Sequence, residues 1–341
     1  MALKRFVQQH VDIAVIETGL GGATDATNVF GPEQLQLAVL TAIGLDHVEA
    51  LGGSLRSIAA AKAGIMKAGV PVVVGPQGGL GSSPDAAAGD VSCSKPPEQQ
   101  QQHQKRGDID VDSSAEVWQV LRAAAGRPDM QCPVVAAEQA VQVTPVTAVA
   151  AALLLRQRGW AGISAEAIAA GLQHAWLPGR FQVAEMPGSV GYHVIFDAAH
   201  TEDSAAALAS TLRDAFPHQP VALVLAMAGD KQHREVCGAL QACKPSVVVF
   251  TTVPIAGSHY RAAPPGTLAA QWQAASMLGP GRPLRCRQLI QANLGAALEK
   301  ARHELTAHGS RAGVVVVTGS LHAVAAAMKQ LGLAPASLRA S

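Results

Sequence analysis

Charge and aromatic residues are scarce in this 341-residue chain: 15% of residues are Asp, Glu, Lys or Arg, and 4% are Phe, Trp or Tyr. With 26 basic residues against 25 acidic ones and a formal net charge of +1, there is no basic field to hold a phosphate backbone and no acidic tail. Nucleic acid is therefore not expected as a partner. Long apolar runs are missing too. Ala148–Leu155 and Val314–Val317 stop well short of the roughly 20 residues that span a bilayer, so no membrane partner is expected. The five cysteines, Cys93, Cys132, Cys237, Cys243 and Cys286, are widely spaced and include no CxxC pair. That excludes a recognisable disulfide framework or zinc site and fits a reducing compartment. Met1–His10 contains Lys4 and Arg5 but neither an apolar signal core nor a serine- and arginine-rich presequence. A cytoplasmic or mitochondrial protein is expected, the latter with an address upstream of this chain.

What is present is apolar material, 49% of the residues, in a chain long enough for two domains with separate cores. Val11–Glu17 (VDIAVIE) reads as a buried strand ending in the glycine-dense turn Gly19-Leu20-Gly21-Gly22. Leu37–Leu45 reads as a second strand running into Asp46-His47, Leu55–Gly64 as a helix, and Pro71–Gly75 as a short strand. Residues 78–114 change to Gly, Ser, Pro, Asp and a glutamine run, Gln99–Gln102, and are expected to be a disordered insertion. Helices are predicted around Ala115–Ala125, Pro145–Arg156 and Ala165–Gln173, ending at the Leu177-Pro178-Gly179-Arg180 turn. Beyond residue 183 strands and helices alternate. Val194–Phe196 precedes Ser204–Phe216, Val221–Ala226 precedes His233–Ala242, Val247–Thr252 precedes Thr267–Ser276, and Val314–Thr318 precedes Leu321–Leu331. The class is α/β with parallel sheets.

In such sheets ligands bind at strand ends. Glu17 stands at the end of the first expected strand, where a glycine turn lets a phosphate or metal approach, and a carboxylate there can hold Mg²⁺. A cap or surface residue is the alternative. The turn does not fit a dinucleotide fingerprint, because Thr24 stands where its third glycine should be. His47 follows Asp46 at the next strand end, on the same expected rim as Glu17, since parallel strands point the same way. Lys62 lies among Ala59, Ala60, Ala61, Ala63 and Gly64. Small neighbours allow close packing that would partly bury a reactive amine, and a surface lysine is the alternative.

The ordered words around these residues carry a resemblance. Glu17–Asn28 (ETGLGGATDATN), Gly44-Leu45-Asp46-His47, Leu51-Gly52-Gly53, Ile58-Ala59 and Lys62–Lys67 (KAGIMK) resemble the Mur-ligase superfamily, specifically its dihydrofolate synthase and folylpolyglutamate synthase family. Leu177–Gln182 (LPGRFQ), Asp197–Thr201 (DAAHT), Gly229-Asp230-Lys231 and Gly319-Ser320 extend the match, which runs from Val11 to about Leu331 outside the insertion. The His-Thr of DAAHT, the LGGSLRSIAAAKAGI stretch and Pro254-Ile255-Ala256-Gly257 are most similar to the plant-type dihydrofolate synthases.

The resemblance implies a partial central ATPase domain over residues 1–182 and a smaller Rossmann-like C-terminal domain over 183–341. It implies a monomeric ligase using ATP and Mg²⁺ to join L-glutamate to dihydropteroate or a folate through an acyl phosphate. By the same analogy Glu17 and His47 hold Mg²⁺ and Lys62 is carbamylated. Arg180, Asp197, His200 and Thr144 reach the nucleotide, Thr144 standing where the family commonly has Asn. An exposed turn residue and a helix cap are the plain alternatives for Arg180 and for Asp197 with His200. Ala23-Thr24 replaces a pair that usually includes Arg, and no GxxxxGK[ST] phosphate loop occurs in the chain. In the family that loop precedes VDIAVIE, so the chain is expected to lack the opening part of its first domain and to be impaired with ATP. Folylpolyglutamate synthase and a non-catalytic folate-binding or regulatory paralogue are the alternative functions. The DATN and KAGI words argue against a cell-wall ligase.

Overall fold

The computed structural model describes residues 2–77, 114–137, 146–277, 286–307 and 312–333. Most of the expected insertion and Thr144 lie outside them. Ser114, assigned above to the insertion, is instead the buried first residue of a helix. The chain divides into two compact units, residues 1–174 and 175–341.

Among the described residues the first unit is built on three parallel strands of three residues each, β1 (Ala38–Leu40), β2 (Val72–Val74) and β3 (Val134–Ala136), in that order. β2 is fully buried because both its neighbours and its covering helices are present. Ile58, Ala59 and Ala63 come from α2 (Leu55–Ala63), and Val117, Leu121 and Ala125 come from α3 (residues 114–125). α2 starts where it does because the Ser54 hydroxyl accepts the Ser57 N–H at 3.1 Å, satisfying one of the orphan donors of a first turn. A short helix α1 (Ala2–Gln8) opens the chain, and α4 (Val146–Gln157) and α5 (Ala165–His174) close the unit without a fully buried residue.

Two expectations need correction here. Val11–Glu17 is not a strand: it pairs with no strand among the described residues, and Val15 is 92% exposed. Alternating apolar residues report what a segment could bury, whereas a strand also needs a neighbouring row of N–H and C=O groups. The strand expected over Leu37–Leu45 is limited to Ala38–Leu40, and the chain then leaves the sheet. Glu17 and Asp46-His47 therefore do not emerge as strand ends on a common rim.

In the second unit six strands lie in the order β4-β5-β9-β6-β7-β8. They are β4 (Gln182–Glu185), β5 (Tyr192–Phe196), β6 (Val221–Leu225), β7 (Val247–Phe250), β8 (Arg287–Ile290) and β9 (Gly313–Thr318). Only β4 is antiparallel, an edge strand on an otherwise parallel sheet. α6 (Glu202–Ala215), α7 (His233–Leu240) and α8 (Pro265–Ser276) pack one face through Leu208, Leu212, Val236, Leu240 and Trp272. α9 (Leu294–Ala307) and α10 (Leu321–Gln330) pack the other through Leu298, Ala301, Val324 and Met328. Central strands β6, β7 and β9 are buried along their length, which is why they read in sequence as unbroken Val/Leu runs.

Candidate functional site

In the first unit the glycine turn after Glu17 is seated on the C-terminal end of α2. A side chain on Gly22 would lie 2.7 Å from the Ala61 carbonyl oxygen and 2.8 Å from that of Lys62, so only glycine permits this approach. Gly64 likewise faces Ala23 with no room for a Cβ. Ala23 N–H donates to Ala61 O at 3.2 Å, and the Asn28 side-chain amide donates to Ala23 O at 3.1 Å and Gly64 O at 3.2 Å. The two sequence words ETGLGGATDATN and KAG, 34 positions apart at Asn28 and Lys62, are thus one local structure. Glu17 is exposed and Lys62 half-buried.

Asp25, which sequence reasoning did not single out, organises this turn. Its carboxylate accepts from Gly19 N–H at 3.1 Å, Leu20 N–H at 2.8 Å, Thr27 N–H at 2.8 Å and the Thr27 hydroxyl at 2.6 Å. The Thr27 bonds, then that from Leu20, hold its pKa down to about 2. Its signal in the sequence was the acidic residue inside a Gly/Thr/Asn-rich turn, the residue type that bonds its own backbone.

His47 has a φ of +54°, a left-handed conformation that His tolerates better than most residues. Its backbone N–H donates to Asp46 Oδ1 at 2.9 Å, and its imidazole lies 3.7 Å from Asp46 Oδ2. The segment leading to it is pinned by buried Gln77 just after β2. The Gln77 amide donates to Thr41 O at 3.2 Å and accepts from Ile43 N–H at 2.9 Å. Among the described residues no three His, Cys, Asp or Glu side chains converge into a set that could hold a metal by themselves. The Glu17 carboxylate is of the donor type that Mg²⁺ takes, with one or two protein ligands and a shell completed by water and phosphate oxygens, whereas the His47 imidazole is a softer nitrogen donor.

In the second unit the ends of β5, β9 and β6 are laced together. Gly319 N–H donates to Ala199 O at 3.0 Å, and Ala226 N–H donates to Thr318 O at 3.2 Å. Gly319, at φ +100°, lies where a Cβ would be 2.6 Å from Ala226 O. β5 leads into α6 on one face and β9 into α10 on the other, so this rim is a topological switch point. Thr201 caps α6 and Ser320 caps α10, directing two helix N-termini to the rim.

Asp197 sits at the end of β5, half-buried, and accepts from Phe181 N–H at 2.8 Å and Ala199 N–H at 2.9 Å. Phe181 makes its bond from a φ of +41°, an outlier for a bulky residue and a strain that aims its N–H at the carboxylate. Burial pushes the Asp197 carboxyl above the usual range, against the opposing pull of those two N–H groups and of Arg180 and His200. His200 Nδ1 donates to Ala198 O at 2.8 Å. The α6 cap is Thr201, not Asp197 or His200. Arg180 is exposed, on the strained turn that brings Phe181 to Asp197. Asp25 thus organises the turn after Glu17, that turn meets the helix end that carries Lys62, and Asp197 with His200 lies at the rim of the second unit's sheet, while Thr144 is outside the described residues.

These features define a class. Residues 179–321 match the Mur ligase, glutamate ligase domain. The dihydrofolate synthase/folylpolyglutamate synthase of Escherichia coli is 32% identical over 330 residues, covering 96% of this chain and 67% of that protein. The folylpolyglutamate synthase of Lacticaseibacillus casei is 30% identical, covering 79% of this chain and 61% of that protein. A crystal structure of bifunctional folylpolyglutamate synthase/dihydrofolate synthase from Yersinia pestis, complexed with AMPPNP and Mn ion, is similar with a TM-score of 0.68 and 26% identity. That match covers 97% of this chain and 69% of the other. The chain belongs to the dihydrofolate synthase/folylpolyglutamate synthase family. It spans about two thirds or less of the length of the curated relatives it matches.

Proposed function

We propose that the chain acts as an ATP-dependent amide ligase joining L-glutamate to dihydropteroate, a dihydrofolate synthase of the plant type. The carboxylate of dihydropteroate attacks the γ-phosphorus of ATP and releases ADP. The glutamate amine then attacks the acyl-phosphate carbonyl, phosphate leaves with its bonding electrons, and the amine proton goes to solvent. Mg²⁺, when bound, supplies positive charge against the moving phosphoryl group. Glu17 and His47 are the residues offered to hold it. Lys62, carbamylated by CO₂ with loss of a proton, becomes an anion that helps set its place. Arg180, Asp197, His200 and Thr144 are proposed to contact the nucleotide.

The observation that supports this reading best is the seating of the Glu17 turn on the helix end that carries Lys62. It sets the turn that follows Glu17 against the helix end that carries Lys62, by contacts that a side chain on Gly22 or Gly64 would disrupt. Turnover by the chain is proposed to be low, because the strands of the first unit are three residues long and Val11, Ile13 and Val15 are exposed beside them in sequence. Relatives bearing both names favour folylpolyglutamate synthase activity as the second reading. The test is turnover in variants: Glu17→Ala and His47→Ala are each expected to lower kcat by at least about 100-fold, roughly 2.7 kcal/mol of transition-state stabilisation. Lys62→Ala is expected to lose activity and to recover part of it with short-chain carboxylic acids. Unaltered kcat in Glu17→Ala and His47→Ala, or full activity in Lys62→Ala without additive, sinks these roles.

A further inference from the structure

Reading Glu17 as a metal ligand and Lys62 as a carbamate leaves open what holds a glycine-rich turn in one conformation beside them. Such a segment loses more conformational freedom on ordering than any other kind of chain, about 1–2 kcal/mol for each residue fixed. Two side chains oppose that loss. Asp25 gathers three backbone N–H groups and the Thr27 hydroxyl, and that hydroxyl also reaches Thr18, the residue after Glu17, at 3.4 Å. Asn28 donates both its amide hydrogens to carbonyls, one in the turn at Ala23 and one at Gly64, two residues past Lys62.

We propose that Asp25 and Asn28 are positioning residues of the site: Asp25 sets the turn that carries Glu17, and Asn28 ties that turn to the helix end that carries Lys62. The inference rests on the reading of Glu17 and Lys62 given above. Neither side chain meets substrate in this account; both act through the residues they hold. The hydrogen-bond chemistry is specific enough to separate this role from space filling. Each oxygen of Asp25 accepts from at least one backbone N–H, so an amide at that position sets its NH₂ against a backbone N–H in either orientation. Asn28 is the converse case. A carboxylate there would face two carbonyl oxygens with no proton to share. Asp25→Asn and Asn28→Asp are therefore isosteric changes that reverse the bonding while leaving volume alone.

The experiment measures Mn²⁺ affinity in the presence of AMPPNP by water-proton relaxation. It compares the unmodified chain with Glu17→Ala, Asp25→Asn, Asn28→Asp and the double variant Glu17→Ala/Asp25→Asn. Groups that orient metal ligands typically change affinity by about 10–100-fold, and that loss is expected for Asp25→Asn and for Asn28→Asp. The double variant is expected to bind no more weakly than Glu17→Ala, since Asp25 acts through Glu17. Thermal unfolding of the first unit serves as the folding control and is expected to retain its transition in every variant. Loss in Glu17→Ala with unmodified affinity in both isosteric variants overturns the positioning role alone. Additive loss in the double variant overturns it as well. Unmodified affinity in Glu17→Ala, or no Mn²⁺ binding by the unmodified chain, overturns the metal reading and this inference together.

Discussion

The two units place the candidate residues on very different supports. The second holds Asp197 and His200 at the end of a buried strand in a six-stranded sheet covered on both faces. The first holds Glu17 before a turn and Lys62 near the end of a helix rather than at a strand end, its described strands have three residues each, and it relies on glycine contacts and the bonds of Asp25 and Asn28. A residue at a sheet rim inherits its position from the whole core. A residue in a turn depends on a few hydrogen bonds, each with a net worth of about 0.5–1.5 kcal/mol. Substitutions around Glu17 should accordingly affect function well before they affect global stability, and substitutions in the second core should do the reverse.

The largest expected contrast is in opening. Domains are stabilised by only ~5–15 kcal/mol net, so the unit with the thinner core should open first. Limited proteolysis is expected to leave a resistant C-terminal fragment beginning near Ala175. One cooperative transition spanning both units would break the comparison. Within the second core, Phe250 and Trp272 are buried and meet edge-on, with ring centroids 6.0 Å apart. Phe250→Ala should cost about 3–5 kcal/mol there and leave the first unit's unfolding alone. A smaller effect is expected at Glu304, 4% exposed, which takes bonds from Arg287 and from Lys300 at 3.0 Å. Burial alone would raise its carboxyl, but those two cations hold it below the ordinary range. A carboxyl depressed in the folded state adds stability that is present above its unfolded pKa, about 4.3, and lost as pH falls through and below that range. Glu304→Gln should remove this acid sensitivity from the second transition and cost roughly 1–3 kcal/mol at neutral pH; an unaltered acid limb contradicts it. The smallest effect concerns Val15. At 92% exposed, Val15→Thr should lie within about 0.5 kcal/mol of the unmodified chain, whereas a buried strand residue would cost far more.

That last case marks where sequence reading stopped. The central strands of the second unit were legible because burial on both faces leaves unbroken Val/Leu runs, as in Val247–Phe250 and Gly313–Thr318. Val11–Glu17, with apolar residues at alternate positions, forms no strand, because periodicity describes a segment and pairing requires a neighbour. β4 and β8 were not assigned: Gln182–Glu185 and Arg287–Ile290 are edge strands with polar residues among the apolar ones. α9 also went unassigned, although Leu294, Ala297, Leu298, Ala301 and Leu305 repeat at helical spacing. Glu17, His47, Lys62, Asp197 and His200 were singled out through family words as candidates. Asp25 was missed because its role is to bond the backbone, which shows only once the turn is folded.

The central claim is acyl transfer by way of an acyl phosphate, and isotope transfer tests it most directly. The protein is given dihydropteroate labelled with ¹⁸O in its carboxylate, together with L-glutamate, ATP and Mg²⁺, and the released phosphate is analysed by mass spectrometry. The account predicts slow formation of the glutamyl amide with one ¹⁸O carried into phosphate for each amide made. Amide formation with unlabelled phosphate, or no amide from either dihydropteroate or tetrahydrofolate while the second unit remains folded, would contradict it.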